Sequence, residues 1–196
     1  MGYSKEHTAA TRARILESAG RLFRRHGYQA AGIDEIMADA GLTRGGFYAH
    51  FRSKEHLFTS VLEEELEFTE QLRRGAERQP NDPKRGALEA IDHYLNPDHT
   101  HRVAQGCTLV ATSSDIARSG RETRVAYTTV LQPLLREFEE LAADAVEDGR
   151  GRGLAALATC IGAISLARSI TDPALVEELL HACRARVSRD LGHDEP

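Results

Sequence analysis

Apolar residues recur at three- and four-residue intervals along most of the chain, the pattern of amphipathic helices. Ile15, Leu16, Ala19, Leu22 and Phe23 mark a first helix, read as Thr11 to His26, behind a polar stretch over residues 1–10. Gly27 ends it, and Tyr28 packs beneath the turn. Ile33, Ile36 and Met37 share one face of a short second helix, with Gly32 at its cap. Gly41 stands where a helix ends in a left-handed residue, the conformation that costs glycine least. Thr43 is placed to cap a third helix, and Leu42 lies at the offset of a staple against Phe47. Helix, glycine turn, helix at this spacing is the helix-turn-helix signature.

The same periodicity continues downstream. Ser53 caps a long helix, about Lys54 to Glu77, with Leu57, Phe58, Val61, Leu62, Leu66, Phe68 and Leu72 as its buried stripe. Gln79 to Pro83 breaks it; a shorter helix over residues 84–95 and a loop over residues 96–101 follow. Val103 to Arg118 reads as a helix, and Ser119-Gly120 as a turn. Glu122 to Asp148 is another, with Val125, Val130, Leu131, Leu134, Leu135, Phe138, Leu141 and Val146 as apolar contacts. Pro133 lies inside it and should kink or divide it. Gly149 to Gly153 reads as a flexible connection. Leu154 to Ala167 is apolar nearly all round, which suits a helix buried between subunits. Asp172 caps the last helix and Pro173 opens it, with Leu175, Val176, Leu179, Leu180, Cys183 and Val187 at helical spacing. These two helices from each of two chains would make a four-helix homodimer interface; the competing reading is that both stripes face the chain's own core.

The third helix carries the anomaly. Gly45 and Gly46 sit on its first turn, where each costs roughly 1 kcal/mol relative to alanine. A helix kept only for packing has no use for them. They make sense where something approaches the backbone closely, as a major groove does at the start of a recognition helix. Phe47 and Phe51, four apart, anchor the helix inward, which leaves Arg44, Tyr48 and His50 outside. Thr43-Arg44-Gly45-Gly46-Phe47-Tyr48-Ala49-His50-Phe51, followed by Arg52-Ser53-Lys54-Glu55, resembles the DNA-binding domain of TetR-type transcriptional repressors. The resemblance runs from about Thr11 to Leu62. It departs at Gly32, where the family more often has Thr or Ser, and Gly still caps acceptably.

The resemblance implies an all-α, TetR-like protein. Residues 1–53 would form a three-helix helix-turn-helix DNA-binding domain, and residues 54–196 a helical ligand-binding and dimerisation domain. Arg44 is the candidate for base contact, most naturally to guanine. Thr43, Tyr48, His50 and Lys54 are candidates for phosphate contact and register, with Gly45 and Gly46 allowing close approach. The partners would be a double-stranded, palindromic DNA operator, a second copy of the chain, and a small-molecule effector. Phe68, Leu72, Tyr94, Cys107 and Tyr127 are the candidate effector-pocket residues, and no cofactor is called for.

Charge and composition sharpen this reading. The formal charge is -5, but residues 1–55 hold nine Lys/Arg against six Asp/Glu, and the remainder 16 against 24. A basic head on an acidic body suits a protein that sets one end on phosphates. Three scattered cysteines without a CxxC pair fit a reducing cytoplasm. No apolar run reaches the ~18 residues that span a bilayer, and the N-terminus lacks the apolar core of a signal peptide. His93, Asp98, His99 and His101 lack the tight ligand spacing of a zinc site, so no metal is assigned. Gly106-Cys107 resembles regulators of the same type that sense electrophiles through a thiol, which is the alternative mode of control. Two other classes are open: an enzyme, for which no nucleophile, base and orienting group stand at a usable spacing, and an interaction module that kept the fold and lost DNA binding, against which the intact Arg44–Phe51 segment speaks. The arginines of the first helix, Arg12, Arg14, Arg21, Arg24 and Arg25, read mostly as a solvated basic face.

Overall fold

A computed structural model of the chain describes residues 5–64, 67–101, 106–143 and 148–192. The expectations at residues 1–4, Leu66, Val103 and Val146 lie outside the described residues. Every regular element among these is helical: α1 (Lys5–Ala30), α2 (Ile33–Asp39), a 3-10 helix (Arg44–Ala49), α3 (Lys54–Glu64), α4 (Glu67–Arg78), α5 (Pro83–Tyr94), α6 (Pro97–His101), α7 (Thr108–Ala117), α8 (Arg121–Leu141), α9 (Gly149–Ala167) and α10 (Pro173–Asp190). The chain divides into two compact units. One takes Met1–Glu65 together with Ala104–Thr128, the other Leu66–Val103 together with Thr129–Pro196. The first unit therefore extends beyond residue 53 and takes in a later stretch of the chain. No described helix is long and apolar enough to cross a membrane.

In the first unit, α1 carries the apolar stripe its sequence announces. Ile15, Leu16, Ala19, Leu22 and Phe23 are all buried, as is Tyr28. The helix starts earlier than the stripe suggests, at Lys5, and Gly27 interrupts it at φ 82° before one further turn. Phe23, Tyr28 and Phe58 form a ring cluster, with centroids 5.2 Å apart for Phe23 and Phe58 and 4.6 Å for Tyr28 and Phe58. Helix α7 packs on α1 within the same unit, and Thr108, Leu109, Thr112 and Ile116 are buried along it. Arg24 reaches it, donating from Nη1 to Thr108 Oγ1 at 3.3 Å.

In the second unit, α4 and α5 cross at Gly75 and Gly86. A Cβ on either residue would overlap backbone atoms of the other. In the same unit, Phe68 and Tyr94 stack with centroids 4.0 Å apart, and Phe138 closes the cluster at 6.0 Å from Phe68. Helices α9 and α10 pack against each other, burying Leu157, Cys160, Ile164, Leu180 and Val187.

Four expectations are corrected here. Residues 97–101 form the short helix α6 rather than a loop, and its Thr100 is buried and bonded to the Pro97 carbonyl. Gly149 to Gly153 is not a flexible connection but the opening of α9. Asp148 caps it by accepting from Gly151 N–H, and a Cβ on Gly153 would come within 2.9 Å of the backbone of α8. Of these glycines, Gly153 provides the close helix contact. Of the two outcomes expected at Pro133, division of the helix does not occur, since α8 continues through it from Arg121 to Leu141. Val125 is not a core contact, being 52% exposed. The run read as one helix over residues 54–77 is described as α3 and α4, with residues 65 and 66 outside the described set.

Candidate nucleic-acid interface

The surface around the third helix is assembled from its supports outward. Helix α2 ends at Gly41, which takes φ 66°, and Leu42 N–H donates to the Met37 carbonyl at 2.8 Å, so the chain turns sharply. The Arg44–Ala49 segment that follows is a 3-10 helix, and Thr43 stands at its N-cap without a side-chain cap bond. The sequence suggested an α-helix with a threonine cap. Two consecutive glycines weaken the α form, and the segment instead closes the tighter bond from Gly46 N–H to the Thr43 carbonyl at 3.0 Å. Phe47 and Phe51 are buried beneath it, with ring centroids 5.9 Å apart.

What this segment presents outward follows from those anchors. Thr43, Arg44, Gly45, Tyr48 and Ala49 are exposed, and Gly46 and His50 are half-buried. Tyr48 is 63% exposed and stands edge-on to Phe47, an unusual position for an aromatic ring. A Cβ added to Gly45 would meet nothing within 4 Å, and one on Gly46 would make only ordinary contact with Met37 Cε at 3.7 Å. The fold itself therefore asks for glycine at neither position.

The arginines of α1 mostly brace the head, so the solvated-face reading of them is corrected. Arg14 donates to the Ala40 carbonyl at the end of α2, and Arg21 is paired with Asp39. Arg12 donates to Ser60 Oγ at 3.0 Å and lies 4.9 Å from the centre of the Phe51 ring. A guanidinium offers several donors in a fixed plane, so one side chain can hold a backbone end or a neighbouring helix in place. Arg25 is exposed.

Lys54 lies at the start of α3, where Ser53 Oγ caps by accepting from His56 N–H at 3.1 Å. Its Nζ donates to the Gln29 carbonyl at 3.1 Å and sits 4.8 Å from the Tyr28 ring centre. Burial holds its pKa below the ordinary lysine value. Asp34, which the sequence reading did not single out, is bonded to Arg44: Oδ2 accepts from Nη1 at 2.7 Å. Its only sequence signal is an acid in the first turn of α2, ten residues before the arginine and across a glycine turn.

The candidate effector residues fall in both units. Phe68, Leu72 and Tyr94 belong to the second, where Phe68 and Tyr94 are stacked and Leu72 lines an open cavity of about 410 Å³ with Ala76, Ala87, Arg73 and Glu137. Cys107 and Tyr127 belong to the first. Cys107 is half-buried at the N-cap of α7. Burial, and then the neighbouring Cys107, push the Tyr127 hydroxyl up to about 12. Burial also raises the thiol pKa of Cys160 and of Cys183, which disfavours the reactive thiolate at both. His99, one of the histidines weighed as a metal ligand, packs its ring 4.7 Å from that of Tyr94.

A helix-turn-helix head that turns Arg44 and Tyr48 outward has the layout of a DNA-binding domain. Residues 15–61 match the family described as bacterial regulatory proteins, tetR family, so this segment of the chain belongs to that family. It is similar to an HTH-type transcriptional repressor of Mycobacterium tuberculosis, Rv1474c, with 38% identity over 64 residues. That match covers 33% of this chain and only 34% of the relative. Over nearly its whole length it is similar to SCO4454, a TetR-family transcriptional regulator from Streptomyces coelicolor, with 26% identity and a TM-score of 0.72. That likeness covers 95% of this chain and 97% of the other. The fold also matches the SmeT–triclosan complex at 22% identity and a TM-score of 0.69, over 95% of each chain.

Proposed function

We propose that the chain is a homodimeric repressor that grips a palindromic operator through Arg44–His50 and lets go when a small molecule binds its helical body. The observation that carries the reading is Gly45. Open space surrounds it, alanine would fit, and the residue is nonetheless glycine beside a second glycine. A duplex lying against the segment supplies the missing reason, since side chains there would hold the backbone off the groove. Arg44 reads a base, most naturally guanine O6 and N7. Thr43, Tyr48 and His50 fix register on phosphates, and Lys54 joins them by exchanging the Gln29 carbonyl for a phosphate oxygen.

The dimer reading is supported by the outer face of α9. Leu154 and Leu166 are exposed there with Ala155 and Ala158, and Gly162 faces open space. Leu175 of α10 is exposed as well. Exposed leucines beside small residues suit close helix contact with a second copy. Two-fold pairing would set the two reading segments about 34–36 Å apart, one turn of duplex. Repression is supported by the Mycobacterium relative, which is named a repressor, and effector control by the SmeT structure, which holds triclosan. Leu72 and its cavity are the effector site favoured for this chain.

Selection of bound duplexes from a randomised pool tests the reading. Recovery of one inverted repeat, bound with an affinity that falls steeply with salt, is the expected result. Failure to enrich any sequence would overturn it.

A further inference from the structure

The ion pair between Asp34 and Arg44 is out of place on a surface made for DNA. Both side chains are 65% exposed, so the pair does little to hold the fold. A carboxylate on this face repels phosphates, which lowers affinity for every duplex alike. Yet Asp34 Oδ2 lies 2.7 Å from Arg44 Nη1, a charge-assisted bond in good geometry. A guanidinium carries five N–H donors in one plane. Asp34 engages Nη1 and leaves the plane's other donors for a base edge.

Arg44 begins its helix next to Gly45, with no neighbouring side chain close to that glycine. A long side chain beside bare backbone has many rotamers available, and most of them would find a phosphate before a base. Tethering one end to α2 biases those rotamers toward one direction before DNA arrives. Helix α2 is itself held from α1, by Arg14 on the Ala40 carbonyl and by Arg21 on Asp39. The tether therefore hangs from a braced element.

We infer that Asp34 is a positioning residue for Arg44 that sets sequence discrimination, aiming the guanidinium at a base edge while weakening attachment to non-operator DNA. The inference rests on the reading of Arg44 as the base-contacting residue. It assigns Asp34 a role opposite to the basic residues around it: removing it should tighten non-specific binding and blur the choice of operator.

The test compares wild type with Asp34→Asn, Asp34→Ala and Arg44→Ala. Each is measured against the duplex recovered by pool selection and against a duplex of unrelated sequence. Asp34→Asn keeps the shape and removes the charge, and its thermal unfolding midpoint controls for folding. The expected result is tighter binding of the unrelated duplex by both Asp34 variants. The operator-to-unrelated affinity ratio should fall about tenfold, within what one arginine–guanine contact discriminates. Repeat selection should lose base preference at one position per half-site, the position also lost by Arg44→Ala. If Arg44→Ala loses that position but both Asp34 variants keep the wild-type ratio, the inference falls and the Arg44 assignment stands. If the Asp34 variants blur many positions together, Asp34 acts through the head as a whole and the inference also falls. If Arg44→Ala binds the operator as wild type does, both are overturned.

Discussion

Gly75 and Gly86 meet backbone to backbone where α4 crosses α5. A methyl group on either would overlap the carbonyl of the other, so the clash is with main chain and no side chain can swing aside. Overpacking of this kind costs typically 1–3 kcal/mol. Gly75→Ala and Gly86→Ala should each lower the stability of the second unit by that amount or more. Urea titration of each variant checks this; a midpoint equal to wild type would show that the two helices can part freely.

At Gly45 the opposite holds. Alanine meets nothing there, and its higher helix propensity should leave the head as stable or raise it by up to about 1 kcal/mol. Operator binding should nevertheless weaken. Melting temperature and operator affinity measured on one Gly45→Ala preparation test both halves. Unchanged affinity would remove the main support for a duplex at this surface.

Stability should decline at both ends of the pH scale through Tyr28 and Glu55. Burial first, and then the Glu55 carboxylate, hold the Tyr28 proton well above the ordinary tyrosine value. A value raised by folding gives a contribution that is complete below about pH 10 and lost as pH rises further. Buried Cys160 acts in the same sense. Glu55 is shifted the other way, chiefly by a backbone hydrogen bond, with Ser53, Tyr28 and Lys54 adding. Its contribution is present above about pH 4.3 and lost as pH falls. Denaturation midpoints across the range should show Tyr28→Phe flattening the alkaline limb and Glu55→Gln the acid limb.

Leu166 is 57% exposed on α9, so a charge there should not disturb the protomer. Leu166→Glu should shift the sedimenting species from dimer to monomer and cost operator affinity in proportion. A variant that stays dimeric would place the subunit contact elsewhere.

The apolar stripes of α1 and α3 were legible because a helix buries one face at a fixed period, and residues such as Ile15, Phe23, Leu57 and Phe58 keep to it. The outward set Arg44 and Tyr48 was legible for the same reason, once Phe47 and Phe51 were taken as anchors. Glycine was harder to read. The same residue marks a left-handed turn at Gly41, a tight helix contact at Gly153 and open space at Gly45. Only the neighbours separate these cases, and they are distant in sequence or lie outside the chain. Pairings across a turn, such as Asp34 with Arg44, leave no periodic trace. Nor does the attachment of Arg24 to Thr108, 84 residues on.

That last attachment bears on how the head can be handled. Because α7 covers one side of α1, the first unit is stitched from two separate lengths of polypeptide. A fragment cut after residue 64 would bare the surface that Thr108, Leu109 and Ile116 now shield. Swapping operator preference between relatives by exchanging only the leading segment would leave mismatched partners at that seam. A chimera should carry residues 106–128 along with it.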